Sequence, residues 1–313
     1  MISFVYCLDD NYNRQAITSI NSLLNNASEP INIFVIHKNP ENFNTYTHIF
    51  KKHKKLNCLE IVKFTHNYTF PNLENSHVSE ATYYRFFIAD LIPSDLDEVI
   101  YLDADTVCLN DPMKELKDSF KLLKKSDQIV GCITEMKSGD NRKKFNNLKM
   151  VGDNYFNAGV MIIDFKKWIK NNIQSGLLKK MSEIYKEVEF WDQDVMNSYF
   201  DGKYLEINNN LNFRINLGDE VQKESKLNVK NIYFLHYYGS NKPWSVEVAN
   251  YQNASFYQKN YKNVFGNFMH IESRWITGDI KKLISKIFSK EFIDSSFVNY
   301  FLSVVKAILQ KKW

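Results

Sequence analysis

Apolar residues recur along this chain in two rhythms. Ile2 to Cys7 and Ile31 to His37 are short strand-like runs, and between them Ala16, Ile17, Ile20, Leu23 and Leu24 share one helix face. A second amphipathic stretch, from about Glu41 to Lys54, predicts another helix before the strand-like run Leu59 to Phe64. Strand, helix, strand, helix, strand at these separations predicts an α/β, Rossmann-like fold with a mostly parallel central sheet. Ligands of such sheets gather beyond the carboxyl ends of the strands.

Further along, Thr69 to Ser79 reads as a polar loop and Glu80 to Leu91 as a helix. Arg85 in its second turn suits a solvated helix face. Val99 to Leu102 and Ile129 to Ile133 are further strands. Ser138 to Asp153, rich in Lys, Gly and Asn, predicts a mobile surface loop. Asn157, Ala158 and Gly159 form a small-residue turn feeding the strand Val160 to Asp164, where a ligand or a second backbone can come close. Phe190 to Val195 opens a helix with Asp192 placed to cap it. A last strand, Ile232 to His236, runs into a loop containing Gly239 and Lys242.

Candidate chemistry starts at Asp103-Ala104-Asp105, directly after the buried run ending at Leu102. In extended backbone, side chains at i and i+2 project the same way. Two carboxylates so placed repel unless a cation lies between them, and a hard divalent ion with oxygen ligands satisfies both. A strand ending in a polar turn has the same pattern. His236 at another strand end would complete three protein ligands, leaving open positions for substrate oxygens. Lys242 could then neutralise a phosphate.

Composition narrows the classes. With 313 residues, 44% hydrophobic and 24% charged, the chain can bury a large core and is not of disordered composition. The net charge of +4 is concentrated at one end: Lys281 to Trp313 carries seven lysines against Glu291 and Asp294, leaving the rest nearly neutral. That argues against a nucleic-acid partner. The scattered Cys7, Cys58, Cys108 and Cys132 fit buried thiols of a reducing compartment better than a disulfide framework or a zinc site. The start lacks the positive region of a signal peptide, and no apolar run is long enough to span a bilayer.

Six pieces taken in order resemble the family 8 retaining glycosyltransferases, most of all their bacterial lipooligosaccharide and lipopolysaccharide galactosyltransferase branch. They are Leu8-Asp9-Asp10-Asn11-Tyr12, Thr82-Tyr83-Tyr84-Arg85, Tyr101-Leu102-Asp103-Ala104-Asp105, Tyr155-Phe156-Asn157-Ala158-Gly159-Val160, Asp192-Gln193-Asp194, and His236 through Trp244. The resemblance spans about residues 2 to 250 and implies a GT-A nucleotide-sugar-binding fold, a UDP-hexose donor, and Mn2+ or Mg2+. It would place Asp103, Asp105 and His236 on the metal. Asp9 and Asn11 would meet uridine and ribose, Gly239 and Lys242 the diphosphate, and Asp10 and Ala104 would also belong to the donor-binding set. Arg85, Asn157, Asp192 and Gln193 would line the donor sugar, with Asp192 or Asp194 open as a transient nucleophile. His77 stands where the family meets its acceptor, a glycan or glycolipid.

Two other enzyme readings compete. A nucleotidyltransferase would need a glycine-rich basic loop after the first strand, where Leu8 to Asn13 is acidic and lacks glycine. A self-glucosylating initiator would use one of the chain's own tyrosines, and none is singled out.

Residues 1–250 thus form the expected catalytic domain and 251–313 a basic, mostly helical region. In the latter, Phe297, Phe301, Val304, Val305 and Ile308 recur at helical spacing. Such a stripe either docks on the catalytic domain or lies on an anionic membrane surface. The second reading makes the protein cytoplasmic and peripheral on the inner membrane.

Overall fold

The apolar runs pair as their periodicity requires, and alternate residues of one strand enter different cores. The structure is a computed structural model that describes residues 1–71, 79–219, 227–273 and 297–310. His77 and the lysines from Lys281 to Lys290, Lys311 and Lys312 lie outside the described residues.

Seven strands build the large sheet: β1 (Ser3–Leu8), β2 (Ile31–His37), β3 (Leu56–Lys63), β4 (Glu98–Leu102), β6 (Val130–Lys137), β7 (Asn154–Asp164) and β8 (Leu205–Glu206). Their order is β3-β2-β1-β4-β7-β6-β8. All run one way except β7, which is antiparallel to both β4 and β6. A smaller sheet holds β5 (Thr106–Cys108), β10 (Phe234–Tyr237) and β9 (Phe213–Ile215), in the order β5-β10-β9.

Both faces of the large sheet are covered. Val5, Phe34, Val99, Tyr101, Met161 and Ile163 enter one core, whereas Phe4, Ile33, Ile100, Leu102, Val160 and Ile162 enter the other. Period-two alternation between two buried faces is why these strands read as continuous apolar runs. The small sheet has its own core, where Val107, Ile215, Leu235 and Tyr237 meet Tyr257 and Tyr261 of the helix Ser255–Phe265.

Four expectations change. The helix placed over Glu41 to Lys54 is a short helix, Pro40–Asn44, followed by the 3-10 turn Thr47–Ile49. Thr45 Oγ1 donates to Asn42 O at 2.7 Å and Thr47 Oγ1 to Asn44 O at 2.9 Å, local bonds that compete with a regular ladder. Glu80 to Leu91 is a 3-10 segment, Glu80–Phe87, ending in one α turn, Ile88–Leu91. Ser138 to Asp153 is not a surface loop throughout: Ser138–Asn147 is a helix, held by the buried Phe145 and, just beyond it, Leu148. Asn157, Ala158 and Gly159 lie inside β7, where the pairing with β6 shifts register, and not in a turn before it.

The helix Phe297–Gln310 docks on the body through Tyr300 and Val304, which pack with Val246, Ala249, Met269 and Ile271. Tyr300 Oη donates to Val246 O at 2.6 Å, and Ser303 Oγ accepts from Met269 N at 2.9 Å. The expected stripe is therefore split, since Val304 faces inward while Phe301 (45% exposed) and Ile308 (37%) face out.

Candidate active site

β4 ends at Leu102 beside Val160 of β7, and Asp103 N donates to Gly159 O at 2.8 Å. The chain then turns, with Thr106 N donating to Asp103 O, and enters β5 of the other sheet. There Thr106 pairs with His236 of β10. Asp103, Asp105 and His236 thus converge because the chain crosses between sheets at this point. Their ligand atoms all lie within 4.8 Å of one another. Gly159 makes the convergence possible, since a Cβ there would collide with the His236 ring and sit 2.9 Å from Asp103 Oδ2.

These residues fit a divalent cation. Asn212 donates its Nδ2 to Asn157 Oδ1 at 2.9 Å, so its own Oδ1 faces His236 Nδ1, also at 2.9 Å. In the neutral ring the proton then sits on Nδ1, and Nε2 presents a lone pair. That atom is 3.3 Å from Asp105 Oδ1, a buried oxygen with no hydrogen-bond partner among the described residues. Two acceptors facing each other at that distance repel, and either a proton on Nε2 or a divalent cation held between them relieves the conflict. Burial opposes ionisation of Asp105, but Lys242 foremost, joined by His236 when its ring is protonated, outweighs it and holds the carboxyl well below its usual range. Lys242 Nζ lies 2.5 Å from Asp105 Oδ2 and 2.7 Å from Tyr237 O.

Arg85 is not on a solvated face. It is 4% exposed, and its guanidinium lies 3.8 Å from the Tyr101 ring centroid. It pairs with Asp103 at 2.8 Å and Asp192 at 3.0 Å, and donates to Ala158 O at 2.7 Å and Thr82 O at 3.0 Å. Asp192, in the first turn of the helix Trp191–Phe200, is not its cap. Burial pushes its carboxyl up to about 6 against the pull of Arg85 and the Thr82 hydroxyl. The capping carboxylate is Asp194, whose Oδ2 accepts from Glu189 N and Phe190 N, both at 2.7 Å. Tyr155 and Lys144 complete its partners.

A cleft of about 520 Å³ collects Asp9, Arg85, Asp103, Ala104, Asp105, Asn157, Asp192, Gln193, His236, Gly239 and Lys242. Gly239 has φ +78°, in the left-handed region that suits glycine. Asp10 and Asn11 are not among its lining residues. The Asp10 carboxylate accepts from Asn39 at 2.6 Å and Asn42 at 2.9 Å, which pins the loop after β1. Sequence reasoning missed Glu135, Asn212 and Arg214. Glu135 follows an apolar strand run, the same strand-end signal that flagged Asp103; Asn212 and Arg214 carried no such signal.

The profile of Glycosyl transferase family 8 matches residues 3–247. The chain belongs to that family. A lipopolysaccharide 1,2-glucosyltransferase of Escherichia coli is 27% identical to this glycosyltransferase over 96% of this chain and 89% of its own length. A lipopolysaccharide 1,3-galactosyltransferase of Salmonella typhimurium is 30% identical over 52% of this chain and 49% of its own. The crystal structure of galactosyltransferase LgtC with donor and acceptor sugar analogues aligns with a TM-score of 0.67 at 20% identity, over 88% of this chain and 99% of that one. The likeness shows a shared fold, the GT-A arrangement.

Proposed function

We propose that this family 8 glycosyltransferase is metal-dependent and retaining. It would move galactose or glucose from a UDP-sugar to a glycan acceptor, of the lipopolysaccharide kind named for its relatives. One observation carries the reading: the orphaned Asp105 oxygen beside His236 Nε2 and Asp103, at the rim of a cleft lined by Arg85, Asp192 and Gln193. Mn2+ or Mg2+ held by Asp103, Asp105 and His236 would stabilise the negative charge of the departing UDP.

The chain's own residues do the rest. Asp9, directly after β1, would meet the nucleoside, and Gly239 with Lys242 the diphosphate. Lys242 already lies at the ligand set, so a diphosphate there meets its countercharge in place. Asp192, ionised beside Arg85, offers negative charge to a sugar developing positive character at its anomeric carbon. Gln193 is neutral and a poor nucleophile, and Asp194 is committed to its helix. With Asp192 engaged by Arg85, same-face attack is the route we favour: the acceptor oxygen bonds to the anomeric carbon as the carbon–phosphate oxygen bond breaks. The bonding pair leaves with UDP, whose phosphate takes the acceptor proton.

The test is a panel of UDP-sugars. One UDP-hexose should be turned over with manganese and not with chelator, giving a product that keeps the α configuration. No turnover of any donor, or an inverted anomer by NMR, would sink the reading.

The catalytic labour falls before residue 250, since every cleft-lining residue lies between Cys7 and Lys242. Within residues 251–313, Ser255–Phe265 packs into the core of the small sheet, and it is the helix Phe297–Gln310 that would hold the enzyme at the cytoplasmic face of the inner membrane. No helix of the described residues is long and apolar enough to cross a membrane. Support comes from the outward row Val298, Phe301, Leu302, Ile308 and Leu309, on a helix already docked by its other face. Buried apolar side chains contribute ~1.5–3 kcal/mol each at full burial. Leu302→Asp with Leu309→Asp should therefore cut partition onto anionic vesicles by about tenfold or more, leaving thermal stability unchanged. Unaltered vesicle binding in a sedimentation assay would reject the membrane role.

A further inference from the structure

We propose that Glu135 is a positioning residue of the sugar-transfer centre: it fixes the amide of Gln193 and ties the two sheets together through Arg214. The proposal rests on the reading above that Gln193 lines the donor-sugar site.

Glu135 lies on β6 and lines the cleft. Its Oε2 accepts from Gln193 Nε2 at 2.9 Å and from Asn157 Nδ2 at 3.0 Å. Its Oε1 pairs with Arg214 at 2.6 Å. Arg214 belongs to β9 of the small sheet, directly opposite His236 in the pairing of β9 with β10. One carboxylate thus spans from the sugar side of the cleft to the sheet that presents the ligand histidine.

A primary amide can turn over, exchanging oxygen and nitrogen with little change of shape, so its orientation is set by its partners. Gln193 Oε1 receives Ala158 N at 2.9 Å and Asn157 Nδ2 at 3.2 Å. On the other side Glu135 can only accept. The flipped amide would set oxygen against carboxylate and NH2 against a backbone N–H, losing bonds at both ends. Asn157 is held the same way, with Oδ1 accepting from Gly159 N and from Asn212, whose own oxygen faces His236. The polar chain from Arg214 to His236 therefore has one orientation for each amide along it. Glu135 supplies the only negative charge in that chain.

Loosening a group near the reacting carbon by about 1 Å can cost ~10²-fold in rate. For Glu135→Ala, kcat for transfer and kcat for donor hydrolysis without acceptor should fall together by about 10²-fold. The KM values for donor and acceptor, and the affinity for UDP with manganese by calorimetry, should move less than about threefold. Glu135→Gln should recover part of the rate, because its oxygen can still accept from Gln193. UDP affinity also reports that each variant is folded.

A raised acceptor KM with unchanged donor hydrolysis would overturn the proposal, by making Glu135 an acceptor contact. Unchanged kcat for Glu135→Ala in an active enzyme would overturn it alone. A wild type inert to every UDP-hexose would overturn the functional reading and this one with it.

Discussion

Asp105→Asn should lower transfer by about 10³-fold or more, the scale of several kcal/mol of lost charge stabilisation in the transition state. The substitution keeps the shape of the side chain and removes its charge. Asp105 is the cleaner of the two aspartates to change. Its carboxylate meets Lys242 and faces His236, and Lys242 would keep its bond to Tyr237 O. UDP should bind the variant more weakly in manganese and equally in chelator. Asp103→Asn should match the loss of activity and in addition lower the melting temperature, because Asp103 also receives Arg85 and the Tyr101 hydroxyl at 2.7 Å. Near-normal turnover by either variant would remove the metal assignment.

Arg85→Met should cost about 3–5 kcal/mol of stability, the scale for leaving a buried charge without its partner. Asp192 and Asp103 would then both lose the guanidinium, leaving Asp192 the Thr82 hydroxyl and Asp103 the Tyr101 hydroxyl. Transfer should be lost at temperatures where the variant remains folded. A urea midpoint within experimental scatter of wild type would refute this account of Arg85.

The same pair sets a pH dependence with a definite sign. Asp192 titrates at about 6 in the folded chain, against an ordinary value of 3.8. Below pH ~4 both states hold the proton and this contribution to stability is complete. As pH rises towards 6 the unfolded chain releases its proton first, so the contribution is lost through that window. Wild type should therefore lose stability relative to Asp192→Asn between pH 4 and 6.5. A constant difference between the two, measured by urea denaturation, would show that Asp192 is not held up by burial.

Much of this was legible in the chain because local order carried it. Strand periodicity in Ile2 to Cys7, Ile31 to His37 and Val99 to Leu102 is written residue by residue, so the α/β class and the strand-end positions of Asp9 and Asp103 followed from pattern alone; His236, expected to end a strand Ile232–His236, lies inside β10, Phe234–Tyr237. The ordered motifs from Asp9 to Trp244 placed the family, which the profile match over residues 3–247 bears out.

Tertiary structure decided what depends on partners from elsewhere. Arg85 reads as a surface residue because a charged side chain in a short helical stretch ordinarily faces solvent; Tyr101, Asp103 and Asp192, from distant segments, make it a buried cation. Phe145 looks unremarkable in a Lys- and Asn-rich stretch until the core behind β6 and β7 gives it a place to be buried. Asp192 and Asp194 are two residues apart and chemically identical. One lies against Arg85 in the cleft, while the other caps its own helix. Sequence fixes the kind of side chain and its period, but the pairing of charges, the tautomer of His236 and the face that Val304 and Phe301 each take are set by what packs against them.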